Sequence, residues 1–256
     1  MKIKASFFTS TGKVRWRNED GLLLDRQLVA GTSMGSPAFS EIPGNGHIIV
    51  VADGLGGHAD GELATKAVLE TFMWSGDRLV DARSLADVLG DCKKALDAMV
   101  EKGRGFLGLG ATVAGIVIGN GSEITAFNCG DCRVYHFANG YLKRVTKDHS
   151  LVQQLLDRGD ITEDELRFHP RKNILTSGLV GDLNRRAPKF FSCKVPVSRW
   201  DRFLICSDGV WESMSARELG GIIGEGAIQD AANALAQKVM KNGASDNYTF
   251  IIAEIQ

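Results

Sequence analysis

Ten short runs rich in β-branched and aromatic residues recur along the chain, at 3–8, 21–25, 47–52, 112–118, 123–128, 133–137, 141–145, 189–195, 202–207 and 248–253. Helical periodicity is confined to stretches between groups of these runs. Leu85, Val88, Leu89, Cys92, Leu96 and Met99 form one apolar stripe, entered through Ser84 with Asp87 three residues on as a capping box. Ile228, Ala231, Leu235 and Val239 form another within 227–241, and Gly243 is placed to end it in a left-handed turn. A third helix is expected from Gly61 to about Trp74 with Asp60 as its N-cap. Asn120-Gly121 and Asn139-Gly140 sit between consecutive strands and supply the positive φ angles of tight hairpins, which makes the middle of the sheet antiparallel. Helices grouped between runs of strands predict an α+β fold rather than a parallel βαβ repeat.

With 256 residues, 44% of them hydrophobic, the chain can bury a large core. Only five prolines occur, and no linker, repeat or low-complexity tract breaks the sequence, so one domain over 1–256 is expected. A net charge of −1 gives no basic field, which argues against a nucleic-acid partner. The N-terminus carries no apolar segment of signal-peptide length, and no 18-residue apolar run exists, so no membrane span and a cytoplasmic location are expected. Five cysteines, spread thinly, fit reduced thiols. Cys129 and Cys132 form a C-x-x-C, but between two strands rather than at the start of a helix, and read as buried free thiols.

Four acidic clusters punctuate these elements: Arg15-Trp16-Arg17-Asn18-Glu19-Asp20, Asp53-Gly54-Leu55-Gly56-Gly57, Ser207-Asp208-Gly209 and Ser245-Asp246-Asn247. Asp53 and Asp208 follow apolar runs, whereas Glu19 and Asp246 precede them. Carboxylates at strand ends on one rim can converge on Mg²⁺ or Mn²⁺, which prefer oxygen ligands. Asp-Gly occurs four times, and the glycines of Asp20-Gly21 and Asp60-Gly61 are assigned to turns and caps.

Read in order, the clusters resemble the PP2C (PPM) family of metal-dependent protein serine/threonine phosphatases, bacterial type, from about Thr9 to Ile252. Seven segments carry the likeness: 14–20, 51–58, Gly110-Ala111-Thr112, Asn128-Cys129-Gly130-Asp131-Cys132-Arg133, Asp148-His149-Ser150, Cys206-Ser207-Asp208-Gly209-Val210-Trp211 and Ser245-Asp246-Asn247. The resemblance implies a four-layer αββα sandwich of two antiparallel sheets flanked by helix pairs, with the site at one rim. It implies phosphoserine and phosphothreonine hydrolysis by a hydroxide bridging two Mn²⁺ or Mg²⁺ ions. Asp53 would bridge the ions, Asp208 and Asp246 would complete one, and Glu19 and the Gly54 carbonyl the other. Asp20 and Asn247 would support these ligands from behind.

Four carboxylates, Glu19, Asp53, Asp208 and Asp246, balance two divalent ions. Asp131, with Asp208 and Glu212, matches the positions of a third, weaker metal, although the family's usual residue at the last of these is aspartate. Arg15 lies four residues before Glu19, where the family places the arginine that clamps phosphate, and its planar fork suits two oxygens. Arg17 is read as solvated. Eukaryotic relatives carry a histidine directly after the Asp-Gly pair. This chain has Leu55, which donates no proton, and His58 is assigned a capping or structural role.

The polar segment at about 150–188, containing Gln153, Arg158, Arg167, His169, Arg171, Lys172 and Asn173, resembles the family's flap. Phosphorylated proteins are the expected partners, with a cognate Ser/Thr kinase system. The alternatives are a phosphatase acting on one partner protein and a catalytically weak phosphoprotein-binding relative.

Two other signals are set aside. Gly31-Thr32-Ser33-Met34-Gly35-Ser36-Pro37 copies much of a subtilisin-like nucleophile motif, but no histidine precedes His47, so a loop between strands is expected. Gly103-x-Gly105-x-x-Gly108 follows a helix and precedes a strand, the reverse of a dinucleotide site, and reads as a connector.

Overall fold

The computed structural model describes residues 2–43, 46–55, 59–75, 82–119, 123–184 and 186–256. Strands β4 (Ala38–Pro43), β1 (Lys2–Ser10), β13 (Tyr248–Ile255), β12 (Arg202–Cys206), β8 (Arg133–Ala138) and β9 (Tyr141–Arg144) form one sheet in that order. The second sheet runs β11 (Phe191–Pro196), β7 (Glu123–Cys129), β6 (Gly110–Ile118), β5 (His47–Leu55), β2 (Asp20–Leu24) and β3 (Gln27–Ala30), with the two-residue β10 (Leu179–Val180) against β6. Neighbouring strands pair antiparallel throughout both sheets.

The period-two alternation of the strands is hidden in the sequence because both faces are apolar. On β5, Ile49 and Val51 enter the core between the sheets, whereas Ile48, Val50 and Ala52 face α1 (Ala59–Ser75) and α2 (Ala82–Glu101). On β13, Ile251 and Ala253 point between the sheets. Phe250 and Ile252 pack with α5 (Asp208–Trp211), α6 (Ala216–Gly224) and α7 (Ile228–Lys241). Strands covered on both sides read as continuous apolar runs, and the three cores they create stack as helix, sheet, sheet, helix. Fully burying one Leu, Ile or Val contributes about 1.5–3 kcal/mol. The expected four-layer α+β sandwich is the observed architecture.

Asn139 and Gly140 have φ of 52° and 81° and close the β8–β9 hairpin as expected. The Asn120-Gly121 turn and His58 lie outside the described residues. Gly243 has φ of 112°, and the Ala244 N–H donates to the Val239 carbonyl across it at 3.2 Å, which stops α7. The 31–37 segment joins β3 to β4, and Gly103–Gly108 connects α2 to β6, both as expected.

Several local readings are corrected. Ser84 lies inside the first turn of α2, which begins at Ala82, so it does not open that helix. Asp60 is also inside its helix, α1, and its Oδ2 accepts the Phe106 N–H at 3.0 Å. None of the four Asp-Gly glycines adopts positive φ. A Cβ on Gly21 would lie 2.8 Å from Leu69 Cδ1, and one on Gly61 would lie 2.7 Å from Glu19 Oε2. These glycines permit close packing of α1 against β2 and the acidic loop; they do not make turns. Strands β3, β4 and β10 were not anticipated.

All five cysteines are free. Cys132 packs between the sheets and Cys129 on the helix side, so the C-x-x-C spans two cores. Among the described residues, no helix is long and apolar enough to cross a membrane. Helices α3 (Leu151–Arg158) and α4 (Glu163–Leu166) occupy the polar segment between β9 and β10.

Candidate active site

At one rim of the sandwich, the ends of strands from both sheets open into a cavity of about 190 Å³. Arg15 and Glu19 reach it from the β1–β2 loop, Asp53, Gly54 and Leu55 from the end of β5, and Asp131 from the β7–β8 turn. Asp208 enters at the start of α5, Asp246 and Asn247 from the α7–β13 loop, and Asn173 and Leu175 from the polar segment. Glu19, Asp53, Asp131, Asp208 and Asp246 are thus gathered from five separate segments.

The loops are fastened by the uncharged residues of the same motifs. Asn247 accepts the Glu19 N–H on Oδ1 at 2.8 Å and donates from Nδ2 to the carbonyls of Thr11 (3.0 Å) and Arg17 (2.8 Å). The Glu19 carbonyl accepts from Thr65 Oγ1 at 2.7 Å and from the Gly54 N–H at 3.2 Å, which ties the β1–β2 loop to β5 and α1. Ser207 Oγ accepts the Thr249 N–H at 3.0 Å and donates to Asp20 Oδ2 at 2.7 Å. Asn18 Nδ2 donates to Thr9 Oγ1 at 2.7 Å, and the Thr9 and Thr249 hydroxyls share a bond of the same length. Gly54 and Gly209 make the approach possible. A Cβ on Gly54 would fall 2.4 Å from the Gly61 carbonyl oxygen, and one on Gly209 2.0 Å from that of Asn247.

Asp131 is held by its backbone. Its carbonyl accepts Trp211 Nε1 at 3.0 Å, and Arg133 stacks on the Trp211 ring at 3.4 Å. Arg133 is itself locked to the buried Asp148 through Nε and Nη2, the latter at 2.6 Å. His149 Nδ1 accepts the Gly130 N–H at 3.2 Å, and Ser150 caps α3. The 148–150 motif is therefore scaffolding for the Asp131 turn.

Electrostatically the site is starved of positive charge. Asp20 lies directly opposite Asp53 across β2 and β5. Burial, and secondarily the neighbouring carboxylates, raise Asp53 and Asp208 well above the ordinary carboxylate range. Burial pushes Asp20 up to about 7, with the Ser207 bond opposing, and Asp131 likewise to about 7, with Asp148 adding to the rise. Asp20 Oδ1 is buried with no hydrogen-bond partner. Arg15 is the one cationic side chain lining the described cavity, and its Nη2 sits 2.7 Å from Asp246 Oδ2.

Among the described residues, no three acidic, His or Cys side chains are closed up into a finished coordination sphere. Basic partners hold two of the acids instead: Arg15 takes Asp246, and Lys172 pairs with Glu212. Glu212 stands behind Asp208, outside the cavity lining. The donor set still suits a hard divalent cation, being all oxygen, crowded with carboxylates and carrying one orphaned buried oxygen. Arg17 is exposed and stacks on Trp16 at 4.5 Å.

No protein-family model matches the chain. A serine/threonine phosphatase, stp, of Listeria welshimeri is 28% identical over 260 residues, 98% of this chain and 96% of that protein. The crystal structure of the Mycobacterium tuberculosis serine/threonine phosphatase PstP/Ppp superposes with a TM-score of 0.82 over 100% of both chains, at 25% identity. A structure of the PstP catalytic domain in complex with two manganese ions superposes at 0.78 with 23% identity, over 100% of both chains. Along nearly its whole length, in sequence and in fold, the chain is similar to bacterial PP2C-type protein serine/threonine phosphatases. Serine/threonine phosphatase activity is thus supported for this chain, and its acidic rim offers the all-oxygen donor set that a divalent cation prefers.

Every cavity-lining acid was among the sequence-predicted site residues. Missed were Leu175 and the roles of Ser207, Asn18 and Trp211. Leu175 carries no chemical signal of its own. Ser207 and Asn18 were visible as polar residues inside the acidic clusters.

Proposed function

We propose that this phosphatase hydrolyses phosphoserine and phosphothreonine in proteins using two Mn²⁺ or Mg²⁺ ions held at the acidic rim. The observation that carries the reading is the convergence of five carboxylates from separate segments on one cavity with a single arginine. Asp53, in electrostatic contact with Asp20, Asp208, Asp131 and Asp246, would be shared by both ions. Asp208 and Asp246 would hold one ion, Glu19 and the Gly54 carbonyl the other, and Asp131 with Asp208 a third, weaker one, joined by Glu212 once it leaves Lys172. Asp20 and Asn247 fix these ligands from behind. When bound, such ions would supply charge neutralisation of the phosphoryl oxygens and acidification of a water for attack on phosphorus, with the P–O bond to the serine or threonine breaking.

Arg15 binds the phosphoryl group by turning its guanidinium from Asp246 to two phosphate oxygens. Leu55 closes the side of the cavity next to Gly54 and supplies no proton, so the leaving alkoxide takes its proton from water. Asn173 and Leu175 form the wall that the substrate polypeptide meets, in a flap-like segment over about 150–188. We further infer one domain over 1–256, a cytoplasmic location and a cognate Ser/Thr kinase system as the source of substrate.

Hydrolysis of a small aryl phosphate with and without Mn²⁺ tests the reading. Wild type should turn over only with metal, and Asp208→Ala should fall to the metal-free rate. Equal rates for the two proteins in Mn²⁺ would defeat it.

A further inference from the structure

The return leg of the polar segment shapes one wall of the cavity. Asn173 and Leu175 line it, and the chain then lies against β6 as β10, with Leu179 opposite Ala111 and Val180 opposite Gly110. Those β6 residues in turn oppose Gly54 and Leu55 on β5. Leu55 Cδ1 sits 3.4 Å from where a Cβ on Gly178 would fall. The path of 173–184 therefore fixes how far this wall stands from the acids.

What holds the path is a lysine on α2, far from any motif. The Lys93 side chain is 10% exposed. Its Nζ donates to Asp182 Oδ1 at 2.6 Å, to the Val180 carbonyl at 3.1 Å, and to both oxygens of Asp97 at 3.1 and 3.0 Å. Asp97 Oδ1 also accepts the Leu183 N–H at 3.0 Å, and Asp182 Oδ1 accepts the Asn184 N–H at 3.1 Å. Leu183 has φ of 58°, a left-handed conformation that strains a leucine and persists only where its surroundings impose it. Lys93 and Asp97 would pair along α2 without help, so the recruitment of Asp182, Val180 and Leu183 acts on the strap. At its other end, Lys172 pairs with Glu212, and Arg167 Nη2 donates to the Glu212 carbonyl at 3.0 Å, just past the short helix that begins with Asp208.

We infer that Lys93 is a positioning residue: through Asp182 it pins residues 173–184 to α2 and sets the mouth that a phosphorylated polypeptide must enter. The inference rests on the phosphatase reading above. A polypeptide substrate must lay its backbone along the strap, whereas a small aryl phosphate meets chiefly the acids and Arg15. Loosening the pin therefore acts on binding of the large substrate and leaves the chemical step alone.

The test compares Asp182→Ala and Lys93→Met with Lys94→Met, a control at an exposed pair on the same helix. Asp182 is 37% exposed, so its truncation spares the core even if the Lys93 variant folds poorly. Kinetics in Mn²⁺ on a phosphoserine peptide and on a small aryl phosphate are read beside limited proteolysis of the metal-free protein. Asp182→Ala should raise the peptide KM roughly 3- to 10-fold with kcat within about twofold, and leave both aryl phosphate constants within about twofold. Cleavage between 167 and 186 should quicken in both strap variants and not in Lys94→Met. An unmoved peptide KM in an active protein, an equal loss on both substrates, or unchanged cleavage would overturn the inference alone. A wild type inert toward both substrates would instead defeat the phosphatase reading beneath it.

Discussion

Asp131 shows how a single side chain is readied for a charge it does not yet meet. Its carbonyl is anchored by Trp211, its turn by His149 and Asn128, while Asp131 lines the cavity with Asp208 and its carboxyl is pushed up to about 7 by burial. As a proposed ligand of the third metal, Asp131 would hold a cation and not grip the substrate. Asp131→Ala should therefore lower turnover more than it raises KM, measured as separate kcat and KM in saturating Mn²⁺; a mutant with full turnover would remove Asp131 from the mechanism. At this scale the acids were legible because hard-cation chemistry demands carboxylates at strand ends. The partners that hold them were not, since Ser207 or Thr65 looks like any other small polar residue until the fold brings its acceptor alongside.

Among the elements, the strands that the sequence signalled are those buried on both faces. Edge strand β3 and strand β4 carry polar or half-exposed residues such as Gln27 and Glu41, and β10 has two residues, so hydrophobic patterning had little to register. Real capping boxes occur at Thr162/Glu165 and Ser215/Glu218, whereas the one proposed at Ser84 failed because α2 already begins two residues earlier. Close approach between elements was equally invisible. Where β12 meets the α7–β13 loop, Gly209 leaves no room for a side chain beside the Asn247 carbonyl. Gly209→Ala should push Asp208 and Asp246 apart, lowering Mn²⁺ affinity measured by calorimetry at least tenfold, in line with the loss of a supporting contact at a metal site. Unchanged affinity would mean that the loops are not held in register there.

At the level of the whole molecule, the clustered acids link metal, protons and stability. Unfolded, these carboxyls titrate near 4. Folded and metal-free, Asp20 and Asp131 titrate at about 7 and Asp53 and Asp208 well above the ordinary range, chiefly through burial. The folded state then binds protons more tightly than the unfolded one. Its stability from these groups is complete below about pH 4 and is lost as pH rises through about 7 and beyond. In EDTA the melting temperature should fall between pH 5 and pH 8, and excess Mn²⁺ should raise it most at pH 8, because the ions replace the protons and bind only the native state. A melting temperature indifferent to both pH and EDTA would count against the acidic site.

Strand β1 zips along β13, so that Ile3 meets Ile255 and Ser10 meets Tyr248. The two partners are among the most widely separated stretches in the chain, and β13 also carries β12 on its other side. Chain closure over such a distance is slow. Asp246, from the loop before β13, joins the other cavity acids only when β13 docks. The complete ring of acids therefore reports a formed β1–β13–β12 seam: a fold lacking that pairing would have Glu19, Asp53 and Asp208 without Asp246 beside them.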